Sequence, residues 1–378
     1  LSDDTETKSL SLLAISARKT ITLLKNNGVL PLKKDVKVAL VGPNADNVYN
    51  MLGDYTAPQE QGNVKTVLDG VRQLLPEANI KYVKGCAIRD TANNNIAEAV
   101  EAARQADVVV ACVGGSSARD FKTSYKETGA AEANANSVGD MESGEGYDRA
   151  TLGLLGLQDR LLRELKKTGK PLVVVYIEGR PLLKNWAAEN ADALLTAYYP
   201  GQEGGRAIAD VLFGDYNPAG RLPISVPRGV GQLPVYYNKK AEPQNYVEMS
   251  AKPLYAFGYG LSYTTFKYSN LSVARKDDSH FEVSFDVTNT GSRDGEEVPQ
   301  LYIHDEVASM AQPVMQLRAF DRKLIKAGET RRFSFNIGPE QLSIVNRDMK
   351  EVVEPGDFTV MVGSSSDNIL LKDKITVR

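Results

Sequence analysis

Two hydrophobic rhythms divide the chain. Over roughly its first 220 residues, short unbroken apolar runs alternate with stretches in which apolar residues return every three or four positions. The runs at 36–41, 80–83, 108–113, 171–177 and 193–197 read as buried strands. The stretches at 10–26, 66–75, 96–106, 149–167 and 203–213 read as helices. In the first helix Leu10, Leu13, Ile15, Ala17, Ile21 and Leu24 share the apolar spacing, and Asn27-Gly28 supplies the residues that tolerate a left-handed cap. In the fourth, Leu155, Leu157, Leu161, Leu162 and Leu165 form the stripe. Strands and helices alternating at this spacing predict a mostly parallel sheet with helices on both faces.

The rhythm changes after Asn217-Pro218-Ala219-Gly220, a turn by composition. Pro223, Pro227 and Pro234 come close together, and Tyr236, Tyr255, Phe257, Tyr259, Tyr263 and Phe266 follow. A connector this aromatic is expected to pack against a surface as a seam, since free linkers are polar. From Lys267 onward the pattern is all-β. Residues 281–287 alternate strictly, 298–303, 331–337 and 358–362 read as further strands, and Glu354-Pro355-Gly356-Asp357 is a turn. About seven short strands over some hundred residues predict an immunoglobulin-like sandwich, read as structural. The expected division is an N-terminal linker and helix over 1–30, an α/β domain over 31–228, the connector over 229–266 and the β domain over 267–378.

Chemistry concentrates at 141–149, Met-Glu-Ser-Gly-Glu-Gly-Tyr-Asp-Arg. Three carboxylates and a guanidinium lie within nine residues, and two glycines free the backbone to turn. The segment closes a run from 114 to about 138 that is rich in Ala, Ser, Asn and Gly, downstream of an apolar strand. A long polar loop at the end of such a strand is where open α/β sheets place ligand chemistry. One of Glu142 and Glu145 is a candidate proton-transfer group. The plain alternative is a solvated loop with Asp148 and Arg149 as a surface pair.

Composition narrows the classes. The 378 residues are 42% hydrophobic and carry a net charge of −3, with Lys and Arg scattered, so no electrostatic footprint for nucleic acid is present. No apolar run has the length of a membrane span. Cys86 and Cys112 each adjoin an apolar run and read as buried thiols, not as a disulfide framework. His280 and His304 stand far apart and away from the loop, which argues against a His-based zinc site and against a Ser-His-Asp triad. Gly42-Pro43-Asn44-Ala45-Asp46 follows a strand but lacks the glycines and the Lys-Ser/Thr pair of a phosphate loop. The first residue is Leu and no signal peptide is present, so the chain reads as processed or excised.

Several stretches, in order, resemble glycoside hydrolase family 3, in the part that follows that family's catalytic barrel. They are Leu24-Lys25-Asn26-Asn27-Gly28-Val29-Leu30-Pro31-Leu32, Val41-Gly42-Pro43-Asn44-Ala45-Asp46 and Gly53-Asp54-Tyr55. Next come Ser143-Gly144-Glu145-Gly146-Tyr147-Asp148-Arg149 and Leu155-Gly156-Leu157-Gln158, the latter in place of Leu-Pro-Gly-Gln. Gly201-Gln202-Glu203-Gly204-Gly205, the run from Gly214-Asp215-Tyr216 to Arg221-Leu222-Pro223, Tyr255-Ala256-Phe257-Gly258-Tyr259-Gly260-Leu261-Ser262-Tyr263 and Val287-Thr288-Asn289-Thr290-Gly291 complete the set.

The resemblance implies an α/β sandwich domain followed by a fibronectin type III-like domain, with no cofactor. In complete members a (β/α)8 barrel carries an aspartate nucleophile and the sandwich lends the acid/base glutamate. By motif that glutamate is Glu145, with Glu142 the runner-up because the loop varies in length. Retaining hydrolysis needs two carboxyls about 5 Å apart, and a glutamate on a mobile, glycine-flanked loop could be desolvated as it closes over a sugar. Asp148 and Arg149 are expected to brace the loop as a charge-assisted pair. Within 117–128, Arg119, Lys122 and Tyr125 suit sugar hydroxyls and stacking, against the alternative of a solvated flap. No stretch resembles the barrel, so the barrel is expected as a separate, cleaved or excised chain.

The implied function is the C-terminal part of an exo-acting β-glycosidase that removes terminal β-D-glucosyl units from oligosaccharides. A β-xylosidase of the same family and a non-catalytic carbohydrate-binding or scaffold protein are the alternatives, and a nucleotide-binding protein is more distant. The family resemblance also implies a secreted or periplasmic setting.

Overall fold

The computed structural model describes residues 3–118, 126–128, 139–241 and 244–378, with side chains from Ser11 onward. The chain forms two compact units. The first holds residues 1–220 and 228–231; the second holds 221–227 and 232–378. The division thus falls near Gly220, ahead of the expected boundary at 228, and most of the aromatic connector clusters with the β-rich unit.

In chain order the first unit comprises α1 (Asp3–Thr20), β1 (Thr22–Asn26), β2 (Val38–Val41), α2 (Val67–Leu74), β3 (Ile80–Val83), α3 (Ile96–Gln105) and β4 (Val108–Gly114). It continues with α4 (Gln158–Lys166), β5 (Leu172–Ile177), α5 (Asn185–Asn190), β6 (Ala193–Thr196) and α6 (Gly204–Leu212). The sheet order is β1-β6-β5-β4-β2-β3, parallel throughout except for β1, which runs antiparallel to β6. Every residue of β2, β4, β5 and β6 is buried, as expected of strands covered on both faces. Right-handed crossovers would send α2, between β2 and β3, to one face and α3 and α4 to the other, and α6 joins α2. Accordingly α2 and α1 pack on α6, and α3 packs on α4.

Two helix expectations are corrected. Residues 10–26 are not one helix: it ends at Thr20, and residues 22–26 form an edge strand. The β-branched run Thr20-Ile21-Thr22 opposes helix continuation, and pairing with β6 buries Leu23 and Leu24. Among the described residues of α1, Ala14 and Ala17 are buried, while Leu13 and Ile15 are exposed. The helix expected at 149–167 begins only at Gln158. Gly156 sits at φ +61, outside the helical region, so the preceding stretch is free to serve the loop.

The second unit is an all-β sandwich with strands β7 (Phe266–Arg275), β8 (Phe281–Asn289), β9 (Gly295–Glu297), β10 (Gln300–Asp305), β11 (Gln316–Phe320), β12 (Lys323–Ile325) and β13 (Thr330–Ile337). A short helix α7 (Pro339–Leu342) precedes β14 (Ile344–Val345), β15 (Glu351–Val352), β16 (Gly356–Ser365) and β17 (Asn368–Val377). Sheets β11-β10-β16-β17 and β13-β8-β7 enclose one core. On β8 Phe281, Val283, Phe285 and Val287 all point inward, as the strict alternation predicts. Phe285 stacks on Phe333 with ring centroids 5.6 Å apart. From the connector, Tyr237 stacks on Phe257 at 4.1 Å and meets Tyr302 of β10 edge-on at 6.0 Å.

Candidate active site

The topology of the sheet marks one place for a site. From β2 the chain crosses to β3 on one side, and the next strand, β4, lies on the other side of β2. Ligands bind at the carboxyl ends of strands where the order reverses in this way. The loops after β2, β4 and β5 all rise there. A buried amide chain stitches their bases together. Asn44 Nδ2 donates to the carbonyls of Gly115 and Ile177, both at 3.2 Å. Asn50 Nδ2 donates to Asn44 Oδ1 at 2.6 Å, and Ser116 Oγ donates to Asn50 Oδ1 at 2.6 Å. Gly114, at φ +137, lets the end of β4 press on β5: a Cβ there would lie 2.0 Å from the Ile177 carbonyl oxygen.

From Gly139 onward the loop after β4 forms a hydrogen-bonded turn. Asp140 accepts from the backbone amides of Ile88 and Arg89 at 2.9 and 2.8 Å. Gly144 N donates to Tyr147 O at 2.9 Å and Tyr147 N donates back to Gly144 O at 3.1 Å. Glu145 and Gly146 are the two central residues of that turn. Gly146 has φ +70, which a turn of this kind requires at its third position and which glycine adopts without strain. Glu145 therefore stands at a turn tip. Arg89 steadies the far side through the Tyr147 hydroxyl and the Gly139 carbonyl.

Glu145 lines an open cleft of about 600 Å³ together with Asp54, Tyr55, Asp148 and Arg180. The loop after β2 contributes Asp54, whose Oδ2 accepts from the Glu145 amide at 3.2 Å and whose Oδ1 accepts from the Tyr55 amide at 2.8 Å. Tyr55 is 83% exposed and sits at φ 56, a backbone region that a bulky residue seldom occupies. The loop after β5 contributes Arg180, which pairs with Asp148 at 2.8 Å. The Arg149 amide and then Arg180 hold the Asp148 carboxyl below its ordinary range.

The expected pairing of Asp148 with Arg149 is corrected. Asp148 pairs with Arg180, while the Arg149 guanidinium turns inward to Glu142 and to the Gly153 carbonyl. Glu142 and Glu145 are thus divided by environment: Glu142 is buried, and Glu145 lines the cleft. Burial pushes the Glu142 carboxyl up, and the charge of Arg149 partly opposes that. Arg119, Lys122 and Tyr125 lie outside the described residues.

Asp54 and Arg180 escaped a reading centred on residues 141–149. Beneath Arg180 is a second feature of that kind. Glu178, directly after β5, and Lys184 form an ion pair at 2.7 Å with side chains 1% and 0% exposed. Lys184 Nζ also donates to the Leu182 carbonyl at 2.9 Å and lies 4.4 Å from the Tyr176 ring centroid. Thr196 Oγ1 and the Leu182 amide donate to Glu178 at 2.6 and 3.1 Å. The pair pins both ends of the turn that carries Arg180. A glutamate immediately following six apolar residues was the available signal, since a charge there must be paired or cost heavily.

Fold and cleft define an α/β sandwich domain with a carboxylate-bearing cleft at its strand ends, followed in sequence by a fibronectin type III-like domain. The family model for the glycosyl hydrolase family 3 C-terminal domain matches residues 21–263, and that for the fibronectin type III-like domain matches residues 297–366. The chain belongs to glycoside hydrolase family 3. It is 41% identical to a beta-xylosidase of Formosa agariphila and 40% identical to a periplasmic beta-glucosidase of Salmonella typhimurium, each over 93% of this chain. It spans about half the length of these curated relatives, 47% and 48%. Among solved structures, a β-glucosidase of Erythrobacter marinus superposes with a TM-score of 0.84 at 38% identity, over 99% of this chain and 51% of that one. A β-glucosidase of Listeria innocua in complex with glucose gives 0.83 at 31% identity, over 100% of this chain and 50% of that one.

Proposed function

We propose that this chain supplies the general acid/base of a retaining, exo-acting β-glycosidase that removes terminal non-reducing β-D-glucosyl units from oligosaccharides. Its acid/base is Glu145. The carrying observation is the placement of Glu145 at the tip of a hydrogen-bonded turn in an open cleft at the switch point of the sheet. Of the neighbouring carboxylates, Asp54 accepts from two backbone amides, Asp148 pairs with Arg180 and Glu142 with Arg149. Double displacement needs a nucleophile as well, and the length of the relatives supports a barrel domain outside this chain as its source. In that assembly Glu145 protonates the departing glycosidic oxygen and then takes a proton from the attacking water. Exposed Tyr55 offers an aromatic face on the same cleft. A periplasmic or secreted setting accords with the Salmonella typhimurium relative.

In the complete enzyme, Glu145→Ala lowers turnover of substrates with poor leaving groups by about a hundredfold or more. Activated aryl glycosides suffer less in the first step, a glycosyl-enzyme accumulates, and azide restores turnover. A uniform loss across leaving groups without azide rescue would remove Glu145 from this role. The Formosa agariphila relative favours β-xylosidase as the second reading. Parallel assays with aryl β-glucoside and aryl β-xyloside separate the two, and absence of turnover with either would favour a carbohydrate-binding role without catalysis.

A further inference from the structure

We propose that Glu142 and Arg149 are positioning residues for the acid/base: one buried ion pair fixes the turn bearing Glu145 against the end of β4. The inference rests on Glu145 being that acid/base. It begins from the two stems of the turn. On the incoming side, the Glu142 amide donates to the Ser116 carbonyl at 2.7 Å. The Glu142 carboxylate lies over Gly115, where a Cβ would fall 1.9 Å from Oε1, so the backbone after β4 is shaped to receive it. On the outgoing side, Arg149 joins Glu142 through Nη1 and holds the Gly153 carbonyl and the Thr151 hydroxyl through Nη2. Both stems therefore meet in a single guanidinium, and Glu145 stands on the turn between them.

The energetics point to position over stability. The two side chains are 1% and 6% exposed, and among the described residues Glu142 Oε1 and Arg149 Nε meet no hydrogen-bond partner. A buried pair that leaves polar atoms unsatisfied is a poor stabiliser, and apolar residues of similar volume commonly do as well or better. What apolar residues cannot reproduce is a directional tie from a strand end to the Gly153 carbonyl. An acid displaced by about 1 Å from its substrate oxygen forfeits up to about a hundredfold in rate.

The test pairs kinetics with amide exchange. In the complete enzyme, Glu142→Gln lowers kcat by about tenfold for alkyl or sugar leaving groups and about twofold for activated aryl groups, with KM little changed. Because Glu142 acts through Glu145, adding Glu142→Gln to Glu145→Ala costs almost nothing further. In this chain, Glu142→Gln speeds amide exchange at 143–149 at least tenfold and leaves the amides of β4 and β5 unchanged. Should that variant fail to fold, Glu142→Met with Arg149→Met removes both charges and carries the same expectations. A leaving-group-independent loss that multiplies with Glu145→Ala, or unaltered exchange at 143–149, overturns the positioning role while leaving Glu145 as acid/base. If Glu145→Ala itself shows no leaving-group dependence, the underlying reading fails whatever the exchange result. Leaving-group dependence and azide rescue in Glu142→Gln alone would transfer the acid/base role to Glu142 and overturn both.

Discussion

Removing either partner of the Glu178–Lys184 pair strands the other charge where no water reaches it. Lys184→Met therefore costs about 3–5 kcal/mol, the range for an uncompensated buried charge. The chain holds one tryptophan, Trp186, on α5 in the α/β unit, so its fluorescence follows this loss without interference from the β sandwich. A change below about 1 kcal/mol would show that the pair is dispensable. Glu142 gives the opposite handle, through pH. Its folded-state pKa is raised by burial and by the neighbouring Glu178, against the pull of Arg149 and Arg180. A carboxyl raised on folding contributes stability that is complete below its ordinary value near 4.5 and is lost as pH rises through the raised value. From pH 4.5 to 7, stability of the α/β unit should fall relative to that of the Glu142→Gln variant. Parallel curves would exclude Glu142 as the source. Half-buried Tyr199, near Ser117 and Glu142, does not titrate in this range: its ordinary value is 10.0 and desolvation pushes it higher.

At the scale of elements, what could be read in advance depended on how many forces agreed. The four central strands were legible because each is a continuous apolar run covered on both faces. Strand β8 was legible because its alternation matches a half-buried sheet. Strand β1 was not, because Ile21 and Leu24 also satisfy the helical spacing and only a partner far along the chain decides between the two. The start of α4 was misplaced because the leucine stripe says nothing of Gly156, whose positive φ ends any earlier helix. The site divides the same way. The turn tip and its glycines announced themselves within nine residues, whereas the contacts of Asp148 with Arg180 and of Asp54 with the Glu145 amide join loops from different strands. Periodicity carries no information on which charge will face which. The separate environments of Glu142 and Glu145, three residues apart, are of that kind.

For the molecule as a whole, one family-level fact sets the expectation. The relatives are about twice as long, and a single acid/base carboxyl cannot carry out double displacement. The rigorously purified chain is therefore expected not to hydrolyse aryl β-glucosides or β-xylosides. Turnover that is abolished by a substitution within this chain would defeat that expectation, and with it the division of labour proposed above. Binding of β-linked oligosaccharides without turnover would instead agree with it.

The edge position of β1 has a consequence for how the protein is made. Thr22 pairs with Thr196, so the earliest strand of this sheet joins a strand synthesised far later. At ordinary elongation rates the wait is on the order of 10–30 s. Meanwhile β2, β3, β4 and β5 can pair among themselves as they emerge, but Ile21, Leu23 and Leu24 have no place to bury. A nascent chain arrested before residue 193 should thus offer residues 21–26 to a protease, and one arrested well beyond 220 should not. The interval between those lengths is when a cellular holdase would find its binding segment on this protein.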